Sequence, residues 1–239
     1  MTGDGAPLLE LQGVHAFYGR AHVLFDVSLT VGRGETVVLL GRNGAGKSTT
    51  FKSIVGLVGT TGGIRLRGQD IAGLAPHRIA RLGVGYVPED RQIFPHLTVA
   101  ENLEIAAKPG SDGHVHWTLE RLESVFPLLA LLLRRSGGTL SGGEQQLVTI
   151  ARTLMGNPDV LLLDEPSEGL APALVKALAG LVERLRDEGV SMLLSEQNVR
   201  FALRVAERAY IIDSGRIPYE GSVGALRGET EIMKRYLAV

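Results

Sequence analysis

Eight residues constrain this chain more than any other stretch. Gly41-Arg42-Asn43-Gly44-Ala45-Gly46-Lys47-Ser48 has the spacing G-x-x-x-x-G-K-[ST]. The residues before it, Thr36–Leu40, form a continuous run suited to a strand buried on both faces. Those after it, with Phe51, Ile54, Val55 and Val58 at helical spacing, predict a helix. A loop of this composition between a strand and a helix is a phosphate cradle. Its glycines let successive backbone N–H groups turn toward anionic oxygens, and the helix adds a positive N-terminus. Lys47 is a point charge for the β- and γ-phosphates, and the Ser48 hydroxyl can face Mg²⁺. Gly41, Arg42, Asn43, Gly44, Ala45, Gly46, Lys47, Ser48 and Thr49 are therefore the expected nucleotide contacts. Glycine content agrees: 31 of 239 residues, about 13%, against a usual share near 7%.

A second element completes the chemistry. Val160-Leu161-Leu162-Leu163-Asp164-Glu165 is an apolar strand ending in two acids. Asp164, at the strand's C-terminal end, is placed to hold Mg²⁺ directly or through water. Glu165, one residue further, is placed to orient or deprotonate an attacking water.

The rest of the chain reads as an α/β fold. Leu8–Tyr18, Val23–Val31 and Gly62–Arg67 predict N-terminal strands, and Val84–Val87 a further one. Thr98 and Glu101 form a capping box that opens a helix through Ala107, and Trp117–Leu133 resumes helical spacing. Over the last hundred residues helices 142–156, 172–188 and 199–207 alternate with strands Val160–Leu163, Val190–Leu194 and Ala209–Ile212. That alternation implies right-handed crossovers and a mainly parallel sheet. The expected architecture is a P-loop NTPase with a mainly parallel core sheet, an N-terminal antiparallel β subdomain and an inserted α-helical subdomain. One domain over 1–239 is expected, its core 1–97 and 136–239 and its helical subdomain about 98–135. The tail 229–239 reads as a short helix with Ile232, Tyr236 and Leu237 able to pack inward.

Leu140-Ser141-Gly142-Gly143-Glu144-Gln145-Gln146 identifies the family. Locally, Ser141 and Glu144 are a capping box at a helix start. The two glycines expose backbone amides there, a second place for phosphate, which one nucleotide can use only if two molecules face each other. Here the sequence resembles the nucleotide-binding subunits of ABC transporters, over residues 8–220. The resemblance implies that Ser141, Gly142, Gly143 and Glu144 close over the γ-phosphate of ATP held by a partner subunit. It also implies that Tyr18 stacks on adenine, that Tyr86-Val87-Pro88-Glu89 senses the membrane partner, that Ser167–Pro172 links the two nucleotide sites, and that Ser195-Glu196-Gln197-Asn198 is the switch region.

Three positions depart from the family pattern. Glu89 stands where Gln is usual and would reach Mg²⁺ with an added charge. Gln197 stands where His is usual; it can contact a γ-phosphate but carries no positive charge. Ala171 replaces the linking loop's Asp. With Lys47, Ser48, Asp164 and Glu165 intact, turnover is expected to be reduced rather than absent. Tyr-Val-Pro-Glu, Phe94-Pro95 with Leu97-Thr98-Val99, Gly169 to Pro172 and Glu-Gln-Asn together resemble the second ATPase subunit of branched-chain amino acid uptake systems, or relatives serving amides, urea or aromatic acids. The segment Lys108–Trp117 is shorter than that pattern. The resemblance implies a second, different ATPase subunit, two integral-membrane permeases and, indirectly, a periplasmic solute-binding protein, on the cytoplasmic face of a bacterial plasma membrane.

Composition narrows the alternatives. The 25 basic and 26 acidic residues give a net charge of −1, without the basic field that bulk nucleic-acid binding needs. There is no cysteine, hence no thiol nucleophile or Cys-based zinc site. The longest apolar run, Leu128 to Leu133, is six residues where a membrane span needs about 20. The opening MTGDGAPLLE lacks the basic and apolar regions of a secretion signal, so a cytoplasmic protein is expected. Two other readings stay open: a soluble ABC ATPase outside transport, and a weakly hydrolysing regulatory ATP-binding subunit.

Overall fold

The computed structural model describes residues 5–237. The chain opens with a hairpin, β1 (Leu9–Tyr18) and β2 (Ala21–Val31), turned at Gly19-Arg20. Next come β3 (Thr36–Leu40), α1 (Lys47–Ile54), β4 (Gly59–Leu66), the short β5 (Gln69–Asp70), α2 (Pro76–Arg81) and β6 (Val84–Val87). Three helices follow, α3 (Val99–Glu104), α4 (Leu119–Val125) and α5 (Pro127–Leu132), and then α6 (Gly142–Met155). The second half runs β7 (Val160–Asp164), α7 (Pro172–Asp187), β8 (Ser191–Glu196), α8 (Val199–Val205), β9 (Arg208–Asp213) and β10 (Arg216–Ser222). It closes with α9 (Val223–Leu226), α10 (Thr230–Ile232) and a π-helical turn, Met233–Leu237.

Two sheets result. β2-β1-β4-β5 is antiparallel; β10-β9-β3-β8-β7-β6 is parallel except for β10, which pairs antiparallel with β9. The central strands are buried on both faces because their alternate residues serve two cores. Val38, Leu40, Leu161, Leu163, Met192 and Leu194 pack toward the helices α3 to α8. Val37, Leu39, Val160, Leu162 and Leu193 face the other way, onto Phe51 and Ile54 of α1 and the apolar side of the antiparallel sheet. Helix α1 is thus wedged between the sheets, which fixes the loop that precedes it.

The helical insertion differs from its pattern in two respects. Trp117–Leu133 is two helices, because Pro127 offers no N–H and drives Phe126 out of helical geometry, to φ −123° and ψ 71°. The capping box at Thr98 and Glu101 forms as expected, but α3 stops at Glu104 rather than Ala107, ahead of Pro109. Strand β8 reaches Glu196, so the switch sequence begins inside the sheet. Four elements carried no clear sequence signal: β5, α2, β10 and α9. Pro218 argues against a strand, yet β10 tolerates it because it lies at the sheet edge, where one side of the backbone needs no ladder partner. Ile232, Tyr236 and Leu237 pack on the helical core, while residues 238 and 239 of the expected tail lie outside the described residues.

One polar network joins the sheets. Arg208 donates to both Glu35 oxygens (2.8 and 2.9 Å), to the Thr30 carbonyl (2.8 Å) and to Glu220 (2.8 Å). Burial pushes the Glu35 carboxyl up, but the bonds from Arg208 and the Gly32 amide bring it below its ordinary value. A depressed carboxyl gives stability that is present above its unfolded pKa and lost as pH falls through its folded value. Arg208→Ala is expected to cost about 2 kcal/mol at pH 7, the cost of leaving a partly buried carboxylate unpaired. Urea unfolding checks this, and the gap from wild type should narrow below about pH 4. An unchanged midpoint at pH 7 would show the network to be energetically idle.

Candidate active site

The phosphate loop leaves the C-terminal end of β3 pinned on two sides. The Gly41 N–H donates to the Glu196 carbonyl on neighbouring β8 (3.2 Å), and the Ala45 carbonyl accepts from the Gly215 N–H (2.8 Å). Only glycine fits where the loop is tightest. A Cβ on Gly41 would lie 2.5 Å from the Ile212 carbonyl oxygen, and Gly46, at φ 114°, would drive a Cβ to 2.8 Å from Leu24. Gly46 is also the N-cap of α1 and brings no capping side chain. The first amides of the helix therefore face the loop without a side-chain acceptor, as an anion site requires.

Lys47 is almost wholly buried, at 3% exposure. Its ammonium donates to the carbonyls of Gly41 (2.8 Å) and Arg42 (2.9 Å) and pairs with Glu165 Oε1 at 3.2 Å. Val23, Gly44, Gly46, Ser48, Thr49 and Glu165 line the pocket around it. Asn43 is exposed in the same loop. Arg42 turns away to the C-terminal segment, reaching the Arg235 carbonyl at 3.4 Å.

Asp164 ends β7 with three hydroxyls donating to its carboxylate. Ser48 Oγ (3.1 Å) and Ser195 Oγ (2.6 Å) reach Oδ1, and the Tyr86 hydroxyl reaches Oδ2 (3.1 Å). Burial, then the charge of Asp164, push the Tyr86 phenol up, so it stays a donor. The next residue turns sharply. Glu165 lies at φ 44°, a strained left-handed conformation for a residue with a side chain, held because its N–H donates to Ser195 O (3.1 Å) and Oγ (2.9 Å). That turn swings its carboxylate off the sheet and onto Lys47. Burial raises the Glu165 carboxyl, the Lys47 charge opposes the rise, and Glu89 and Asp164 add to it.

The structure thus gathers Gly41 to Thr49, Asp164 and Glu165 at the C-terminal ends of the inner strands β3 and β7. Glu89 is exposed and close enough to repel Glu165, but its carboxylate is not among the partners of Ser48 or Asp164. Tyr18 stands exposed at the end of β1, and Gln197 exposed just beyond β8. Ser141 and Glu144 form their capping box at the start of α6, with Glu144 also held by Arg135 at 2.6 Å. The Ser141 N–H is the main reason the Glu144 carboxyl lies below its ordinary value. Ser141, Gly143 and Glu144 line a different pocket from Lys47, and the two share no residue. This chain does not bring its own signature to its own phosphate loop. Ala171 is the N-cap of α7 and offers no side-chain acceptor. Sequence reasoning put Tyr86 in the sensing stretch and Ser195 in the switch region but gave neither its bond to Asp164, because a hydroxyl in a strand meets a neighbouring strand's residue only through cross-strand register. The register pairs Asp164 with Ser195 and Tyr86 with Leu162.

A strand-ended phosphate loop, a second strand ending in adjacent acids and a glycine-rich capping box beyond an inserted helical segment define an ATP-binding cassette. The chain belongs to the ABC transporter family, whose model matches residues 24–168. It is 39% identical over 231 residues to the high-affinity branched-chain amino acid transport ATP-binding protein BraG of Pseudomonas aeruginosa, covering 96% of this chain and 99% of that one. It is 40% identical over 225 residues to the lipopolysaccharide export system ATP-binding protein LptB of Escherichia coli, covering 93% of each. Among solved structures, the ADP conformation of an ATP-binding cassette of an ABC transporter matches with TM-score 0.79 at 25% identity, covering 96% of this chain and 98% of that one. An ATP-binding subunit of another ABC transporter matches with TM-score 0.77 at 31% identity, covering 94% of each. This chain is an ATP-hydrolysing transporter cassette.

Proposed function

We propose that this subunit energises a membrane importer for branched-chain amino acids or similar small solutes. It would sit on the cytoplasmic face of the membrane, paired with a second, different ATPase subunit and two permeases that a periplasmic solute-binding protein serves. Among the described residues no helix is long and apolar enough to cross a bilayer, and this reading assigns the membrane span to the two permeases. The observation that carries the paired arrangement is the separation of Lys47 and Ser141 into distinct pockets. ATP would bind between the phosphate loop of one subunit and residues 141–144 of the other, with Tyr18 against adenine. The helical insertion, about 98–135 within a core of 1–97 and 136–239, comes just before that signature, which opens the helix Gly142–Met155.

Ser48 and Asp164, already joined through a hydroxyl, are a donor set suited to Mg²⁺, which takes few protein ligands alongside substrate phosphates; Glu89 is the further candidate. Bound there, the ion would neutralise charge on the phosphates. The chain's own part is positioning and charge stabilisation: Lys47 meets the phosphate oxygens, Gln197 contacts the γ-phosphate, and Glu165 accepts a proton from the attacking water. Gln197 cannot become cationic, which favours a partner subunit that supplies a full switch residue at the other composite site.

A second reading, service to a lipopolysaccharide exporter, has the similarity to LptB in its favour, at 40% identity against 39% and 37% for the amino-acid relatives. One experiment separates them: gentle detergent purification from native membranes, followed by mass spectrometry of whatever accompanies the chain. The expected companions are two permeases and a second ATPase carrying Gln and His at the positions of Glu89 and Gln197. Recovery as a homodimer with lipid-export membrane subunits would replace the importer reading, and recovery away from membranes would end both.

A further inference from the structure

Directly beneath the active site lies a carboxylate that the reaction as described does not use. Glu196, the last residue of β8, is 2% exposed. Its Oε1 accepts from the Ser167 N–H (3.1 Å), and its Oε2 accepts from Ser167 Oγ (2.9 Å) and the Asn198 N–H (3.2 Å). Its carbonyl receives the Gly41 N–H that starts the phosphate loop (3.2 Å). One residue therefore touches three segments. Ser167 belongs to the loop that follows Glu165 and leads to α7; that loop is tight, with Glu168 N–H on the Glu165 carbonyl (3.0 Å) and Leu170 N–H on the Ser167 carbonyl (3.3 Å). Asn198 caps α8 through the Phe201 N–H (3.1 Å). Gln197 lies between the two anchored residues, so its place is set by the carboxylate on one side and the helix cap on the other.

The donors around Glu196 are all neutral, and the charged group facing it is another acid, Glu165. Burial above all, with repulsion from Glu165, pushes its carboxyl up to about 7 in spite of three hydrogen bonds. A buried anion without a cation is a costly way to join two loops. A neutral amide of the same shape has only one acceptor oxygen and would turn its NH2 toward donors that Glu196 meets with its second oxygen, so the carboxylate, costly as it is, is the group that joins them. Such a group next to a reaction centre points to a role in the reaction rather than in the fold.

We propose that Glu196 is a positioning residue for ATP hydrolysis: its carboxylate ties the loop at Ser167 to the turn that carries Gln197, so that Glu165 and Gln197 are set together against the γ-phosphate. This rests on the roles given above to Glu165 and Gln197. A shift of the 166–172 loop, which the second subunit would contact, moves the switch turn through the same carboxylate. The two sides of the site then respond as one unit.

The test uses the full chain in the complex it co-purifies with, measuring steady-state ATP turnover between pH 6 and 8.5 for wild type, Glu196→Gln, Glu196→Asp and Ser167→Ala. For Glu196→Gln at pH 8, kcat should fall on the order of tenfold to a hundredfold, the effect of a small misplacement of reacting groups, while KM for ATP stays within about twofold. Wild type should lose activity as pH drops through about 7, where Glu196 takes up a proton and gives up an acceptor site; the Gln variant should lack that step. Asp should restore part of the rate, and Ser167→Ala, which removes the hydroxyl bond but keeps the carboxylate and the residue-167 N–H bond, should show a smaller loss, in kcat alone. Wild-type kcat in Glu196→Gln, or a loss in which KM rises in parallel, overturns the proposal. If Glu196→Gln does not fold, wild-type turnover in Ser167→Ala overturns it instead. Glu165→Gln run beside them separates the two levels: if that variant is inactive while Glu196→Gln is unaffected, only the role of Glu196 falls.

Discussion

Glu165→Gln is expected to lower ATP turnover by about 10²–10⁴-fold, the usual worth of a positioned general base, while leaving ATP affinity intact. The substitution is nearly isosteric. The backbone of residue 165 is held at φ 44° by its own N–H on Ser195, so the amide will occupy the place of the carboxylate. Its oxygen can still accept from Lys47 at the 3.2 Å separation of the present pair. What is lost is proton affinity. In the structure Lys47 holds the Glu165 carboxyl down against the effect of burial. When Lys47 turns to the phosphates, burial and the neighbouring acids Glu89 and Asp164 are left to act, and all of them raise proton affinity. On the proposed mechanism, substrate binding would therefore make Glu165 a stronger base at the moment a water needs one. Phosphate release measured beside equilibrium binding of a fluorescent ATP analogue distinguishes the two effects. Unchanged turnover would remove Glu165 from the mechanism.

The same residues show where sequence reading succeeds and where it stops. Gly41 to Ser48 and Val160 to Glu165 are contiguous, and each carries its meaning in local order: a buried strand, a turn, charged or hydroxyl groups at its end. Contiguity is why those assignments needed no coordinates. The amphipathic helix at 172–187 and the capping boxes at Thr98 and Ser141 were legible for the same reason, since helical neighbours are three or four positions apart. Tyr86, Ser195 and Glu196 meet the site only through strand order. Asp164 and Ser195 are 31 positions apart and face each other because β7 lies beside β8. A hydrophobic pattern gives the existence of both strands but not which is neighbour to which. β10 was hidden differently, by a proline that is acceptable only at an edge.

Lys47→Ala should act on an earlier step, and the contrast with Glu165→Gln is diagnostic. A charge-assisted hydrogen bond is worth about 1.5–3 kcal/mol, and the ammonium is expected to meet oxygens of both terminal phosphates. Losing it should therefore weaken ATP binding by on the order of 10²-fold or more, with turnover falling as a consequence. The loop carbonyls of Gly41 and Arg42 also lose the donor that holds them 2.8 and 2.9 Å from Nζ. Glu165 is left partly buried beside Glu89 and Asp164 with no cation, so its carboxyl moves still higher. That consequence can be measured without nucleotide. Lys47→Ala alone should unfold at lower urea than wild type, because an uncompensated acid remains in the site. Adding Glu165→Gln should recover part of the loss, since the double variant has neither charge. If the two substitutions were simply additive in urea, the pair seen at 3.2 Å would carry no coupling. If Lys47→Ala bound ATP with wild-type affinity, the loop would not be the phosphate site, and every role assigned around it would fall with that result.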